Sequence, residues 1–367
     1  MSNPVITGHR GYKAKYVENT LVGFTHCYED GATNIETDTW VTKDGIVVIS
    51  HDVNTKRIFC HRDGSEADYN ILKTNYEDLK DLVTIKSGEK LLKFTDMLNW
   101  YIEYCKEEDA GEQFSKYIQL DIKRFNPPKI MRLLFEDLLS VKDDLNFWCQ
   151  RIQFGVWDIN FLKYMNQTQW FQDTFDSDKN IMKPEIFHIS FSCQDSTRYL
   201  EYNQFLDLTS PKDKYTFKVR GILMIYVATW SRDFLVNFVP LLKTNDLCLY
   251  SWTINNTIQY DYLNKVGKTA GLRQYGIITD DPGKMVKYKN SKLEEKTSST
   301  VTDIQLTWSQ VAANYMFLMF TKAAGAKRVT EDELDFEAPV DGEATRVVNI
   351  SPFFAYIFFT LQKFGIF

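Results

Sequence analysis

Eight short apolar runs alternate with helix-patterned stretches between residues 5 and 280, and this rhythm restricts the fold more than any other feature of the chain. The runs lie at 5–9, 33–39, 117–123, 151–156, 186–191, 219–227, 247–253 and 276–280. Strands separated by helices cannot close as hairpins, so they pair in parallel through crossovers. Helices are expected at 18–30, 95–104 and 127–139. The last opens on prolines suited to a first turn and spaces Ile130, Leu133, Leu134 and Leu138 for one apolar face. A ninth run, 46–50, follows Asp44-Gly45, a strong hairpin signal. Eight parallel strands with intervening helices predict an α/β fold, a TIM-type (β/α)8 barrel over residues 1–286.

The rhythm then stops. Residues 287–306 are charged and rich in Ser and Thr, and read as a polar linker. The remainder, 307–367, reads as a hydrophobic, membrane-associating helical extension. It holds the block Tyr315-Met316-Phe317-Leu318-Met319-Phe320, an acidic stretch at 331–343, and Phe353-Phe354-Ala355-Tyr356-Ile357-Phe358-Phe359. Residues 350–367 carry one charge, Lys363, but Ser351-Pro352 interrupts their start. A spanning helix needs about 20 apolar residues. A helix lying in the interface, or a hairpin formed with 308–324, is therefore expected rather than a span. On this reading, removing 306–367 releases the protein from membranes and leaves a folded barrel.

A net charge of −6 argues against a nucleic-acid partner, which would need a basic face. The six cysteines (27, 60, 105, 149, 193 and 248) are dispersed, with no zinc-type spacing, and suit the reduced thiols of a cytosol-facing protein. The N-terminus shows no secretory leader pattern.

Chemistry-bearing residues crowd into the first 52 positions: His9-Arg10-Gly11, Glu18-Asn19-Thr20, Glu36-Thr37-Asp38, Thr42-Lys43-Asp44-Gly45 and His51-Asp52. In a parallel barrel, functional groups belong at the C-terminal strand ends. His9 and Arg10 end the first strand. Glu36 and Asp38, two apart near the end of the second, point the same way and can clamp a cation. Buried carboxylates without a cation are costly, which disfavours a purely structural role. His51 ends the hairpin strand, and Asp121 and Lys123 end the next barrel strand; a plain ion pair is the alternative for those two. Imidazoles transfer protons near neutral pH, a divalent ion neutralises phosphoryl charge, and a guanidinium grips phosphate oxygens. His26, His61 and His188 read as structural. Asp280 and Asp281 read as turn residues before Pro282, with support of the site as the alternative.

The ordered set resembles the glycerophosphodiester phosphodiesterase family, with HR, ENT, E-x-D, T-x-D-G and HD in sequence. Leu120–Lys123, Tyr250-Ser251-Trp252-Thr253-Ile254-Asn255 and the closing stretch 276–282 continue the likeness. The short loop after His51, the Leu-Asp-Ile-Lys variant and the aromatic tail are similar to the fungal phosphatidylglycerol phospholipase C branch. The resemblance implies that His9 and His51 are the acid–base pair and that Glu36, Asp38 and Asp121 bind one divalent cation. It further implies that Arg10 and Lys123 contact phosphate. Asp121 is one methylene shorter than the family's usual Glu. All-oxygen ligation favours Mg²⁺ or Ca²⁺. Trp252 is expected as a pocket wall against the glycerol headgroup, with core packing as the alternative, and Asn19 as a supporting residue.

These readings lead to a phospholipase C-type hydrolase, cleaving phosphatidylglycerol into diacylglycerol and glycerol phosphate. His51 is the preferred base and His9 the preferred acid. The alternatives are a phosphodiesterase for soluble glycerophosphodiesters or lysophospholipids, and a lipid-binding barrel without catalysis. The implied partner is a phospholipid at a membrane or lipid-droplet surface, facing the cytosol, with endoplasmic reticulum and mitochondrial surfaces also open.

Overall fold

The structure is a computed structural model describing residues 4–106, 115–175, 181–211, 214–292, 300–323 and 335–345. Its strands are β1 (Val5–Gly8), β2 (Asn34–Val41), β3 (Val47–Ile49), β4 (Phe59–Cys60), β5 (Val83–Thr84) and β6 (Tyr117–Ile122). They continue with β7 (Ile152–Val156), β8 (Glu185–Ser190), β9 (Val219–Ile225), β10 (Cys248–Trp252) and β11 (Tyr275–Thr279). Eight of them form a closed parallel barrel in the order β1-β2-β6-β7-β8-β9-β10-β11, with β11 returning to β1. Helices cover the outside, giving the TIM barrel expected from the alternation.

The departures from the sequence reading are local. β2 runs on to Val41 because residues 39–41 pair antiparallel with β3 through the Asp44-Gly45 turn. β9 ends at Ile225, where Tyr226–Thr229 tighten into a 3₁₀ turn. The helix after β6 is Ile130–Val141, so Pro127 and Pro128 belong to the turn before it rather than to its first residues.

Inside the barrel, Phe187 and Tyr250 fill the space with Ile189, Leu223 and Cys248. Two glycines make the room: a Cβ on Gly221 would sit 2.7 Å from the Phe187 ring, and one on Gly276 2.7 Å from the Tyr250 ring. Buried Gln119, Gln153 and Asn34 form a polar layer; Gln153 Oε1 accepts from Gln119 at 3.1 Å and from Asn34 at 3.3 Å. This satisfies amides that would otherwise be costly to bury.

Residues 53–92, the expected short insertion after His51, fold over a small core of Trp40, Val48, Phe59, Ile71, Leu79, Leu82 and Leu91. β4 and β5 pair antiparallel within it.

The segment after residue 286 is less separable than the sequence implies. The helix Pro282–Ser291 crosses position 286, and Ile304 and Phe317 are buried in the barrel's main apolar cluster. Phe336 packs on Tyr202 and Phe205 with ring centroids 5.2 and 5.5 Å away. Cutting at 306 would therefore uncover apolar surface of the barrel, contrary to the expectation of a clean truncation. Among the described residues, no helix is long and apolar enough to cross a membrane. The aromatic block at 353–359 and all of 346–367 lie outside the described residues.

His188 shows how the core responds to acid. It is buried, stacks on Tyr199 at 3.7 Å, and has Nδ1 3.1 Å from Ser196 Oγ. Burial, assisted by the charge of Arg124, lowers its pKa to about 3 from 6.5. The unfolded chain therefore binds the extra proton first, so this stability is complete above about pH 6.5 and falls as pH drops toward 3. Denaturant titrations should show the wild type losing about 1.4 kcal/mol per pH unit more than a His188→Phe variant between pH 6 and 4. Parallel curves would contradict this.

Candidate active site

The site is assembled at the C-terminal ends of the strands. The His9 amide donates to the Thr279 carbonyl at 2.8 Å, extending the β1–β11 pairing by one residue. Its Nδ1 lies 2.6 Å from Asp280 Oδ1. Burial would raise the Asp280 pKa, but His9 and Lys13 outweigh it and hold the carboxyl ionised. An ionised carboxylate only accepts, so Nδ1 carries the proton and Nε2 is left basic toward the cavity that His9 lines. Asn255 fixes Asp280 in turn, donating Nδ2 to Oδ2 at 2.9 Å and accepting the Asp280 amide at 2.9 Å.

His51 repeats this arrangement. Its Nδ1 is 2.7 Å from Asp52 Oδ1, and Arg57 Nε donates to Asp52 Oδ2 at 2.5 Å. Arg57 also donates to both oxygens of Glu18 at 2.6 and 3.0 Å, and Glu18 Oε1 accepts from Arg10 at 3.0 Å. One charged chain thus runs His51–Asp52–Arg57–Glu18–Arg10. Glu18 is nearly buried, yet its two arginines hold its pKa at about 2. Burial first and Lys123 second lower His51 to about 4; burial and Arg10 lower His9, against Asp280. Both rings are neutral at pH 7. They are 14% and 26% exposed, so each meets solvent only through the mouth.

Between them lie Glu36, Asp38 and Asp121, with one carboxylate oxygen from each inside 4.8 Å of the others. Burial and the neighbouring carboxylates, Asp38 and Asp121, push Glu36 well up. Asp121 is also raised, by burial and Asp38 against Lys123. Asp38 goes the other way: burial is outweighed by Lys123, His51 and Arg10. Lys123 Nζ sits 2.6 Å from both Asp38 Oδ1 and Asp121 Oδ2, and Trp157 Nε1 donates to Asp121 Oδ1 at 2.7 Å. Asn19 donates to Asp38 Oδ2 at 2.8 Å and accepts from Thr37 Oγ1 at 2.8 Å. The Arg10 amide donates to Glu36 Oε2 at 2.8 Å. Three buried, mutually repelling carboxylates with hard oxygen donors fit a divalent cation.

Arg10 and Asn19 both adopt left-handed backbone, φ 51° and 60°. Asn tolerates this; for Arg10 it is a strain that its hydrogen bonds to Glu36 and Glu18 offset.

Of these groups, His9, His51, Arg10, Glu36, Asp121 and Lys123 line a cavity of about 470 Å³ whose surface is of two kinds. Carboxylates, cations and imidazoles make part of the lining charged, and Trp157, Phe191, Trp252, Leu223 and Ile225 make another part apolar, the two meeting at the Trp157–Asp121 hydrogen bond. Trp252 both packs and lines: Nε1 donates to the Leu223 carbonyl at 2.9 Å, and its ring meets Trp157 edge-on at 5.8 Å.

All nine residues singled out from the sequence converge here: His9, His51, Glu36, Asp38, Asp121, Arg10, Lys123, Trp252 and Asn19. Lys123 takes the ion-pair geometry that was the alternative for it. The sequence reading missed Glu18, Asp52, Arg57 and Trp157 as site residues and gave Asp280 as a turn residue with support of the site as the alternative, the arrangement its contact with His9 shows. Asp52 and Glu18 stood inside the motifs, whereas Arg57 and Trp157 carry no local signal because only the fold brings them in.

Fold and site together define a TIM barrel whose mouth holds two aspartate-braced imidazoles around a candidate metal cluster. The chain belongs to the glycerophosphoryl diester phosphodiesterase family, whose model matches residues 9–284; members of that family hydrolyse phosphoric diesters. It is 40% identical over 75 residues to a glycerophosphodiester phosphodiesterase of Bacillus altitudinis, covering 20% of this chain and 28% of that protein. Over 49 residues it is 45% identical to a human lysophospholipase D, covering 13% and 16%. The matched stretches thus span less than a third of those relatives. Among solved structures, a Silicibacter pomeroyi protein described as a glycerophosphoryl diester phosphodiesterase superposes with TM-score 0.56 at 15% identity, covering 79% of this chain and 94% of that one. An Oleispira antarctica phosphodiesterase in complex with its product sn-glycerol-3-phosphate gives 0.53 at 17% identity, covering 79% and 98%. These likenesses show the fold.

A cation held only by the folded cluster should stabilise the protein. Mg²⁺ or Ca²⁺ at a hundred times its dissociation constant should add about 2.7 kcal/mol, read as a rise in Tm. Asp121→Asn should abolish that rise. An equal rise in the variant would place the cation elsewhere.

Proposed function

We propose that this chain is a divalent-metal-dependent phosphodiesterase of the phospholipase C type, hydrolysing phosphatidylglycerol to diacylglycerol and glycerol phosphate. The observation that carries the chemistry is the pairing of two imidazoles, each fixed at Nδ1 by its own aspartate, in one cavity with Glu36 and Asp121 of the three-carboxylate cluster. The lipid assignment is supported by the apolar wall adjoining that charge, which suits a diacylglycerol leaving group better than a hydrophilic one.

Glu36, Asp38 and Asp121 would hold the cation, which neutralises charge on the phosphoryl oxygens when bound. Arg10, positioned by Glu18, adds a guanidinium to the same phosphate, and Lys123 can turn from its carboxylates to do likewise. His51 Nε2 takes the proton from the headgroup glycerol's 2-hydroxyl as that oxygen attacks phosphorus. The bond to the diacylglycerol oxygen breaks, and His9 supplies that oxygen's proton. An anionic diester beside His9 favours the imidazolium this needs. In the second half, His9 takes a proton from water, the water oxygen opens the five-membered cyclic phosphate, and His51 returns its proton to the 2-hydroxyl. Braced Nδ1 atoms keep both Nε2 atoms aimed at phosphorus throughout.

The membrane setting belongs to the same proposal. The apolar stretch beyond residue 345 would hold the protein at a cytosol-facing lipid surface, such as a lipid droplet, endoplasmic reticulum or mitochondrion. The competing reading is hydrolysis of soluble glycerophosphodiesters or lysophospholipids, favoured by the names of the two relatives above.

Product analysis decides between them. Phosphatidylglycerol vesicles should yield diacylglycerol in a chelator-sensitive reaction, at a rate exceeding glycerophosphocholine cleavage. Soluble-diester cleavage without diacylglycerol would reject the lipid assignment. His9→Ala and His51→Ala should each cost about 10²–10⁴-fold in kcat; turnover unchanged in both would reject catalysis at this site.

The pH profile follows from His51. A base must be unprotonated, and its pKa lies near 4. The acid limb of kcat/KM should therefore fall near pH 4 rather than near the unperturbed 6.5. A limb at 6.5 would mean that the imidazole is not held neutral by its site.

A further inference from the structure

The helix Trp308–Ala323 is inside out with respect to water. A surface helix normally buries its apolar residues and turns its polar ones outward. Here Gln310 and Asn314 are buried; Asn314 Nδ2 donates to the Val227 carbonyl at 2.9 Å. Among the apolar residues, Phe317 is buried beside them, its ring 6.4 Å from Phe191. Facing outward are Trp308 (86% exposed), Val311, Tyr315 (65%), Met316 (71%), Leu318 and Met319. Spacings of three and four make positions 308, 311, 315, 318 and 319 one strip. Residues 304–321 include no charged side chain. Isolated exposed apolar residues are ordinary, whereas a continuous uncharged strip marks a contact surface.

Its place in the fold says what it contacts. Val227 follows the C-terminal end of β9, and Phe191 follows β8, so the helix is pinned beside the barrel mouth. Phe191 and neighbouring Tyr226 also line the catalytic cavity. The described chain then returns to the same end of the barrel. Lys163 Nζ donates to the Asp335 carbonyl at 2.6 Å, and the Lys129 amide donates to the Gly342 carbonyl at 2.9 Å, just before the helix that follows β6. The description stops at 345, leaving 22 residues whose charged side chains are Arg346 and Lys363, both basic. An uncharged strip and a basic, aromatic-rich extension thus leave from one face.

We propose that the outward strip of Trp308–Ala323 is a docking surface for a phospholipid bilayer, seating the barrel mouth on the headgroups. On the helix's buried side, Phe317 leads through Phe191 to Trp157 and Trp252 of the cavity wall, with ring centroids 6.4, 5.1 and 5.7 Å apart, so the strip lies outside the aromatic cluster of the mouth. The apolar part of a lipid can follow that wall while its phosphate reaches the carboxylates. Trp and Tyr mixed with Met and Val suit an interface that is wet on one side and apolar on the other. The docking stands on the helix alone; its use in lipid cleavage rests on the function proposed above.

The test uses the full chain with a spin label at Met319→Cys, and labelled wild type as background for Cys60. Adding phosphatidylglycerol–phosphatidylcholine vesicles should raise the label's collisions with oxygen and lower those with a water-soluble nickel chelate. A label still in water on the vesicles overturns the proposal. So does one already shielded before lipid is added, which would put residues 346–367 or a second copy over the strip. In parallel, Met316→Glu/Met319→Glu should slow cleavage of vesicle phosphatidylglycerol by about tenfold or more, with a soluble glycerophosphodiester cleaved within about twofold of wild type. Full activity on vesicles, or equal loss on both substrates, overturns it as well. A wild type that docks but cleaves neither substrate would instead refute the phosphodiesterase reading and leave the docking standing.

Discussion

The mutual repulsion of Glu36, Asp38 and Asp121 governs the architecture around it. Three carboxylates within 4.8 Å, out of bulk water, are tolerable only with positive charge among them. Lys123 bridges two of them and Arg10 approaches Asp38 at 3.8 Å. Even so, burial and the neighbouring carboxylates keep the Glu36 and Asp121 pKa values raised, so full ionisation of the cluster calls for more positive charge. That residual demand is what a bound divalent cation would satisfy, and the same positive field would then meet a phosphodiester.

The two histidines border this cluster, each held by a different segment. His9 is braced by the turn that closes the barrel after β11, and His51 by the insertion that follows the β2–β3 hairpin. Arg57, from that insertion, ties the His51 brace to Arg10 through Glu18. The insertion that carries Arg57 thus links His51 to Arg10. Asn255 plays the matching part on the His9 side.

Much of this was legible in the sequence because its carriers are local. Alternation of apolar runs with helical patterns shows β/α units directly, and Glu36 and Asp38 share a face because strand periodicity requires it. The limits have physical causes too. Asp280 looked like a turn residue because turn propensity is local, whereas its partner His9 is 271 positions away. Arg57 and Trp157 reach the site only through tertiary packing. The domain division at 286 failed to anticipate that Phe317 and Phe336 would be drawn into the barrel's core, since composition registers a change of character without registering a contact. The outward strip on Trp308–Ala323 was likewise invisible, because which face of an uncharged helix is buried is decided by what it packs against.

The central claim is that the carboxylate cluster holds a cation that, with Arg10, presents a phosphate to both imidazoles. The most direct measurement is a crystal structure grown with Mn²⁺ and glycerol phosphate, read by anomalous scattering. The account predicts one anomalous peak ligated by Glu36, Asp38 and Asp121, a phosphate between the Nε2 atoms of His9 and His51, and Lys123 turned from the carboxylates toward the phosphate. A peak elsewhere, or a phosphate bound with Lys123 still bridging Asp38 and Asp121 and no metal between them, would contradict it.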